Sequence, residues 1–331
     1  MRRRRARARR ICGVLLAGAF IWGLASSLAH ADEPSVPGTP GARVLDDPAY
    51  AGVDWSAVDR VERLLPDLDD AVTDTPEIYR TDCPVGRDER DFQACAFGAP
   101  RAERTVALVG DSKALQWFTP IDRIARRAHW RLVVIGKVGC PFADVVRPVD
   151  GRRNLSCEAW GQRALRTLQR LRPDIVLTVT RFPTALPPGA SADTTPTAAA
   201  MTAGLVRYWR ALGSVGVTVV PILDTPGPPH GDSPNCVRHN LERLSACGYP
   251  LEEDVDRSGA SAQRAAAARL PGTPVVDMTH TICPGQTCPA VIGNVLVYRN
   301  GTHLSDSFAT SARRALSRKL AAATHGRLGQ R

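Results

Sequence analysis

Gly110-Asp111-Ser112 ends an apolar run, VALV, and passes directly into a helix-like segment, KALQW. Two chemistries suit those residue types at such a junction. Asp111 or Ser112 can cap the helix, because short polar side chains accept hydrogen bonds from the N–H groups that a helix start leaves free. Ser112 can also serve as a nucleophile, since a helix start favours negative charge and its unpaired N–H groups can bind an oxyanion. A serine nucleophile needs a base, and the sequence offers seven histidines. His30 and His325 sit at the ends, His129 ends a helix-like segment, and His230 and His239 lie in a loop rich in proline and glycine. His280 and His303 both follow the last strand-like run, and His280 stands three residues after Asp277.

The elements that must position these residues alternate along the chain. TVALVG (105–110), RLVVIG (131–136), DIVLTVT (174–180), VTVVPIL (217–223) and TPVVDM (273–278) are nearly unbroken apolar runs. Such runs suit parallel strands buried on both faces. Helix-like segments separate them at 112–128, 157–172, 196–213 and 258–270, and a fifth at 305–323 closes the chain. Strand and helix in repeated alternation predict a three-layer, doubly wound (flavodoxin-like) α/β domain over 101–325, with a parallel sheet of about five strands. Ligands of such sheets bind beyond the carboxyl ends of the strands, and Ser112 falls at that edge. Residues 32–100 are rich in Pro, Asp and Gly and read as a short extension packed on the main domain, with one helix-like stretch, DWSAVDRVERL, at 54–64.

Residues 1–31 read as an export leader: seven arginines in the first ten residues, an apolar run from Ile11 to Ala29, and Ala29-His30-Ala31 as a cleavage point. The run approaches membrane-spanning length, so an uncleaved anchor fits as well as a cleaved signal peptide. Both place the remainder outside the cytoplasm, secreted or held at the outer face of the membrane, with membrane contact only through residues 11–29. Seven of the ten net positive charges lie in the leader, leaving +3 on the other 300 residues. That balance gives no support to a nucleic-acid partner. Eight cysteines remain beyond the leader: Cys83, Cys95, Cys140, Cys157, Cys236, Cys247, Cys283 and Cys288. An even number in an exported chain implies disulfides. The connectivity is open, and the simplest pairing joins neighbours, 83–95, 140–157, 236–247 and 283–288. Cys236-Val-Arg-His239 lacks a second ligand pair for zinc, and nothing in the pattern calls for a metal or cofactor.

Gly110-Asp111-Ser112 after the first strand and His303 just before the last helix, in NGTHLSDSFATSA, resemble the SGNH hydrolase superfamily. More narrowly the chain resembles the SGNH domain found at the carboxyl end of membrane acyltransferases of family 3. The Cys83/Cys95 loop, LVGDSKALQW, Val138-Gly-Cys-Pro141 and Cys283-Pro-Gly-Gln-Thr-Cys288 leading into VYRNGTHLS carry that likeness over about residues 80–320. The resemblance implies an extracytoplasmic serine esterase or O-acyltransferase, usually O-acetyl, acting on cell-envelope carbohydrate. By position it implies Ser112 as nucleophile, His303 as general base, and the N–H groups of Ser112 and Gly139 as oxyanion donors.

Three positions depart from the family pattern. Asn300 stands where the triad carboxylate belongs; in a serine protease triad an amide at the carboxylate position costs about four orders of magnitude in turnover. Arg181 and Phe182 occupy the place of the superfamily's asparagine after the third strand, and Lys113 stands where many relatives have histidine. Asn-Gly also favours a tight turn, which gives Asn300-Gly301 a structural reading. Asp277, at the end of the fifth predicted strand, is the candidate for a substitute carboxylate. Trp117, Phe118, Phe142, Trp160 and Phe182 suit a core better than a sugar platform. Only Ile11–Ala29 qualifies as a membrane span, so the resemblance implies a stand-alone esterase, a partner of a separate membrane acyltransferase, or a fragment of one. The alternative is a non-catalytic glycan-binding or assembly protein that kept the fold and lost its carboxylate.

Overall fold

The computed structural model describes residues 34–328 apart from 87–88, 90–91, 192 and 255–256. The leader lies outside the described residues, and no helix among them is long and apolar enough to cross a membrane. At the centre is a five-stranded sheet built from β1 (Cys95–Gly98), β2 (Thr105–Gly110), β3 (Arg131–Gly136), β4 (Ile175–Val179) and β5 (Thr218–Pro221). Their order is β1-β3-β2-β4-β5, with β1 antiparallel to β3 and the other neighbours parallel.

Four of the five predicted strands form the parallel part. The fifth does not: residues 273–278 make only one bridge, Val276 to Ile222, beyond the edge of the sheet. Pro274 follows Thr273 there, and a residue without an N–H group cannot continue a ladder. The fifth strand comes instead from Cys95–Gly98 at the opposite edge, inside the segment read as an extension. The extension is thus a working part of the domain: Val36, Val44, Trp55 and Ile78 are buried in the same core as β2. DWSAVDRVERL is not helical. An eleven-residue helix is marginal on its own, and tertiary contacts hold the segment extended: the Asp59 carbonyl accepts from the Leu244 N–H and its carboxylate from the Ser245 N–H, while Leu65, just after it, donates to Asn294 and accepts from Leu296.

Alternation along the strands divides the core into two layers. Val106 and Leu108 of β2 point into the layer covered by α2 (Phe118–Ala128), α8 (Asp306–Ser311) and α9 (Arg313–Ala323). Ala107 and Val109 point into the other, under α3 (Leu155–Leu171), α4 (Ala198–Gly213) and α6 (Ala260–Ala268). The remaining helices are short: α1 (Ser112–Leu115), α5 (Ser233–His239) and α7 (Thr279–Ile282). The single helix predicted over 112–128 divides into α1 and α2 because Pro120 cannot sit one turn after Gln116 in a continuous helix without meeting its carbonyl. Trp117, Phe118, Phe142 and Trp160 are buried in the core, and Phe182 is half-buried under the Arg147 guanidinium.

All four neighbouring cysteine pairs are joined: Cys83–Cys95, Cys140–Cys157, Cys236–Cys247 and Cys283–Cys288. Cys236 is therefore unavailable to a metal.

Candidate active site

From β2 the chain moves one way to β3, then crosses back to β4 on the other side of β2. Such a reversal opens a crevice at the carboxyl end of the central strand. Gly110 closes β2 at φ 151°, and a Cβ there would run into the Val179 carbonyl oxygen. Only glycine lets β2 and β4 approach so closely while the chain turns. Asp111 then caps α1: its carboxylate accepts from the Lys113 N–H at 2.9 Å and the Arg181 N–H at 2.9 Å. Burial pushes the Asp111 pKa up to about 6 against those hydrogen bonds.

With Asp111 as the cap, Ser112 is left for other work. Its Oγ lies 2.8 Å from His303 Nε2. His303 reaches it from a hairpin of β6 (Tyr298–Asn300) and β7 (His303–Leu304), in which Asn300 pairs with His303 across the turn Gly301-Thr302. Gly301 has φ 53°, which the turn requires and glycine supplies. The hairpin brings the Asn300 backbone against the imidazole, where its carbonyl accepts a hydrogen bond that favours the charged ring. The Asn300 side chain is exposed. Asn300 thus meets His303 through the main chain, in place of the side-chain contact that its position in the motif suggests.

Asp277 does not take the carboxylate's place. Its oxygens are held by Arg264 at 2.6 Å and the Thr279 N–H at 2.9 Å. Burial raises its pKa, but these hydrogen bonds outweigh burial and the net shift is downward. It lies just before α7, and the nearby His280 is exposed. Gly139 sits at φ 73° in the turn after β3, pinned by Arg147 on its carbonyl and by the Cys140–Cys157 disulfide next to it. The N–H groups of Ser112 and Gly139 donate to no partner among the described residues.

Lys113 anchors the site from beneath. Fully buried, its Nζ lies 3.1 Å from Asp224 Oδ1, 2.8 Å from Thr225 Oγ1 and 2.6 Å from the Thr302 carbonyl. Gln116, one turn later on the same face, accepts from the Leu304 N–H at 3.2 Å and donates to Thr225 at 3.3 Å. Two side chains of the Ser112 segment therefore grip both neighbours of His303. Asp224 is buried, which raises its pKa, while Lys113 and the N–H groups of Gly259 and Thr225 oppose that shift. Gln116, Asp224 and Thr225 escape a motif reading; the available signal was an acid directly after a buried strand, at the edge where such sheets carry their chemistry. Burial pushes the His303 pKa down to about 3, with the positive charges of Lys113, Arg299 and Arg181 adding to it. No cluster of metal-ligating side chains occurs among the described residues.

A mostly parallel α/β sheet with a hydrogen-bonded serine–histidine pair at its switch point is the architecture of one class of serine-dependent hydrolases and transferases. Residues 82–318 match the family model described as SGNH domain (fused to AT3 domains), and the chain belongs to that family. A search of curated protein sequences returns no match. Among solved structures, the chain is similar to the periplasmic domain of a lipopolysaccharide acetyltransferase from Salmonella ser. Paratyphi A. That likeness is 13% identical over 67% of this chain and 86% of that one, with a TM-score of 0.47. A protein from Bacteroides fragilis assigned as an acylhydrolase is also similar, 13% identical over 66% of this chain and 89% of that one, with a TM-score of 0.37.

Proposed function

We propose that this chain is an extracytoplasmic serine esterase or O-acyltransferase domain that handles acyl groups, usually acetyl, on cell-envelope carbohydrate. The observation that carries the reading is the 2.8 Å contact between His303 Nε2 and Ser112 Oγ, with the Asn300 carbonyl on the other side of the ring. In the forward step Ser112 Oγ attacks the acyl carbonyl while His303 takes the hydroxyl proton. The carbonyl electrons move onto oxygen, where the N–H groups of Ser112 and Gly139 receive them. The ester bond then breaks, His303 returns the proton to the departing alcohol, and the acyl group stays on Ser112. Water, or the hydroxyl of an acceptor sugar, gives its proton to His303 as its oxygen attacks the acyl carbonyl; the bond from the acyl group to Ser112 Oγ breaks, and His303 returns the proton to Oγ. A Nε2 base requires the tautomer with hydrogen on Nδ1, and the Asn300 main chain beside the ring suits that proton.

Four disulfides suit an oxidising compartment, and the leader suits export. The acyl donor fits either a soluble ester or a separate membrane acyltransferase acting as partner. A second reading, a glycan-binding domain without catalysis, draws on one observation: among the described residues no carboxylate contacts His303. A fluorophosphonate probe separates the two. Labelling of the folded wild-type chain that disappears in Ser112→Ala supports the enzyme; a folded chain that takes no label refutes it.

A further inference from the structure

The outer face of the helical layer built from α2 and α9 gathers arginines that the fold does not neutralise. A depression of about 370 Å³ between the two helices is lined by Arg127, Arg313 and Arg314. It adjoins a second, of about 420 Å³, that shares Arg313 and Arg314 and adds Arg43, Arg123 and the exposed Leu65. The acids nearby are engaged elsewhere. Asp46 holds Arg318 through both oxygens at 2.7 Å, Asp122 holds Arg126 at 2.6 Å, and Asp47 accepts from the Ala49 N–H. Glu77 stands 3.8 Å from Arg123, and Asp306 is hydrogen-bonded to Thr119. The side chains of Arg127, Arg313 and Arg314 make no hydrogen bond or ion pair among the described residues. Burial, and then the positive charges of Arg127, Arg123, Arg314 and Arg43, hold the Arg313 pKa below the usual guanidinium value. Like charges gathered in this way repel one another, and an anion outside the chain offsets that repulsion.

We infer that this face docks on an anionic phospholipid surface, with the guanidinium groups on lipid phosphates and Leu65 at the interface between them. The planar guanidinium fork donates two parallel hydrogen bonds to phosphate, and basic side chains spread over one face add their attractions to a charged membrane. The point at which the chain enters the fold agrees. Pro37 lines a third depression together with Arg43 and Arg314, and it stands eight residues after Ala29, the end of the apolar run. Eight residues span at most about 29 Å, so an apolar run kept as an anchor would hold this face close to the lipid. That proximity favours a membrane over a soluble polyanion as the partner. The Ser112–His303 pair lies off this face, at the carboxyl end of β2, so docking and catalysis are separable.

Residues 33–331 form one compact unit that holds the described core and all four disulfides. The chain from Asp32 onward, the product of cleavage after Ala31, therefore tests the face without the arginines of the leader. Co-sedimentation compares vesicles of phosphatidylglycerol and phosphatidylcholine in equal parts with vesicles of phosphatidylcholine alone. The mixed vesicles bind about 100-fold or more tightly than the neutral ones, and salt near 1 M removes the difference. Arg127→Gln, Arg313→Gln and Arg314→Gln together weaken binding to the mixed vesicles by about 100-fold, at roughly fivefold for each arginine near a charged surface. If Arg313→Gln lowers the melting temperature, the exposed pair Arg127→Gln and Arg314→Gln reads the same effect at about 25-fold. An equal loss of charge on the opposite layer, by Arg170→Gln, Arg210→Gln and Arg269→Gln, leaves binding within about threefold of wild type. A preference for the mixed vesicles below about tenfold overturns the inference, and so does an equal loss in the two sets of variants. Binding of soluble polygalacturonate through the same three arginines, with no preference among vesicles, would give the face to an acidic polymer and overturn membrane docking. Absence of the fluorophosphonate label refutes the proposed catalysis and leaves this contact untouched.

Discussion

Replacing Lys113 by methionine tests the electrostatic floor of the site. The substitution keeps most of the buried stem and removes the ammonium group from Asp224, Thr225 and the Thr302 carbonyl. Deleting one partner of a buried ion pair costs about 3–5 kcal/mol, because the other charge stays behind without compensation. Asp224 keeps two backbone N–H donors at 2.9 and 3.1 Å, which puts the expected loss near the lower end, about 3 kcal/mol. Urea unfolding at neutral pH with an unchanged m-value reads this directly. The loss has a defined pH dependence. Burial raises the folded-state pKa of Asp224 and Lys113 opposes it, so without Lys113 that pKa rises further. A carboxyl group whose folded pKa exceeds its unfolded one binds its proton more tightly in the folded chain, so stability falls as pH rises through that range. The deficit of Lys113→Met is therefore largest at neutral pH and shrinks on acidification. Adding Asp224→Asn removes both charges and recovers part of the loss. Serine labelling in Lys113→Met slows, by up to about 100-fold, because Lys113 no longer holds Thr302, the residue before His303, in place. A deficit below about 1 kcal/mol, or one unchanged between neutral and acid pH, would refute the reasoning.

Three further outcomes follow from the same geometry. Asn300→Ala keeps Ser112 labelling within about threefold of wild type, because the carbonyl and not the exposed amide meets His303; a loss approaching the roughly 10⁴-fold of a disabled triad would show that the side chain matters. With a neutral ester, kcat/KM of the free enzyme retains activity far below the usual imidazole value of about 6.5, because the His303 pKa lies near 3. In stability, a depressed histidine contributes above its unfolded pKa and loses that contribution as pH falls from about 6.5 toward 3; an acid limb centred near 6.5 would contradict the burial of the ring. Gly110→Ala lowers the unfolding free energy by about 2 kcal/mol or more, since its Cβ meets the Val179 carbonyl at a φ that alanine resists.

The parallel strands were legible because strands buried on both faces must be apolar at every position, and VALV, LVVI and IVLTV have no other reading as economical. The edge strand was not. Cys95–Gly98 is four residues long and paired on one side only, and a stretch so short carries no periodicity to recognise. The converse error at 273–278 has the same root: VVDM is apolar enough for a strand, but Pro274 and the Thr279 N–H bonded back to Asp277 settle its backbone differently. Chain order and element type left His280 and His303 at the correct edge, and the resemblance to the SGNH family, with its helix directly after the histidine, pointed to His303 as the partner of Ser112. The grip of Lys113 and Gln116 on residues 302–304 was not legible, since it depends on which face of a four-residue helix meets a hairpin nearly two hundred positions away. Lys113 did stand out as a departure from the family pattern. Its burial supplies the reason, an ammonium group that ties the nucleophile segment to the base segment.

Asn300 changes meaning in the same way. Read as a motif position, it is a triad member that has lost its charge. Placed at the end of a strand that pairs with His303 across a two-residue turn, it meets the ring through its main chain and leaves its side chain exposed. A carbonyl orients the ring as a carboxylate does but contributes only a partial charge to the imidazolium. The site therefore lacks part of the stabilisation that a full triad gives, while Lys113, Arg299 and Arg181 work against protonation of the same ring.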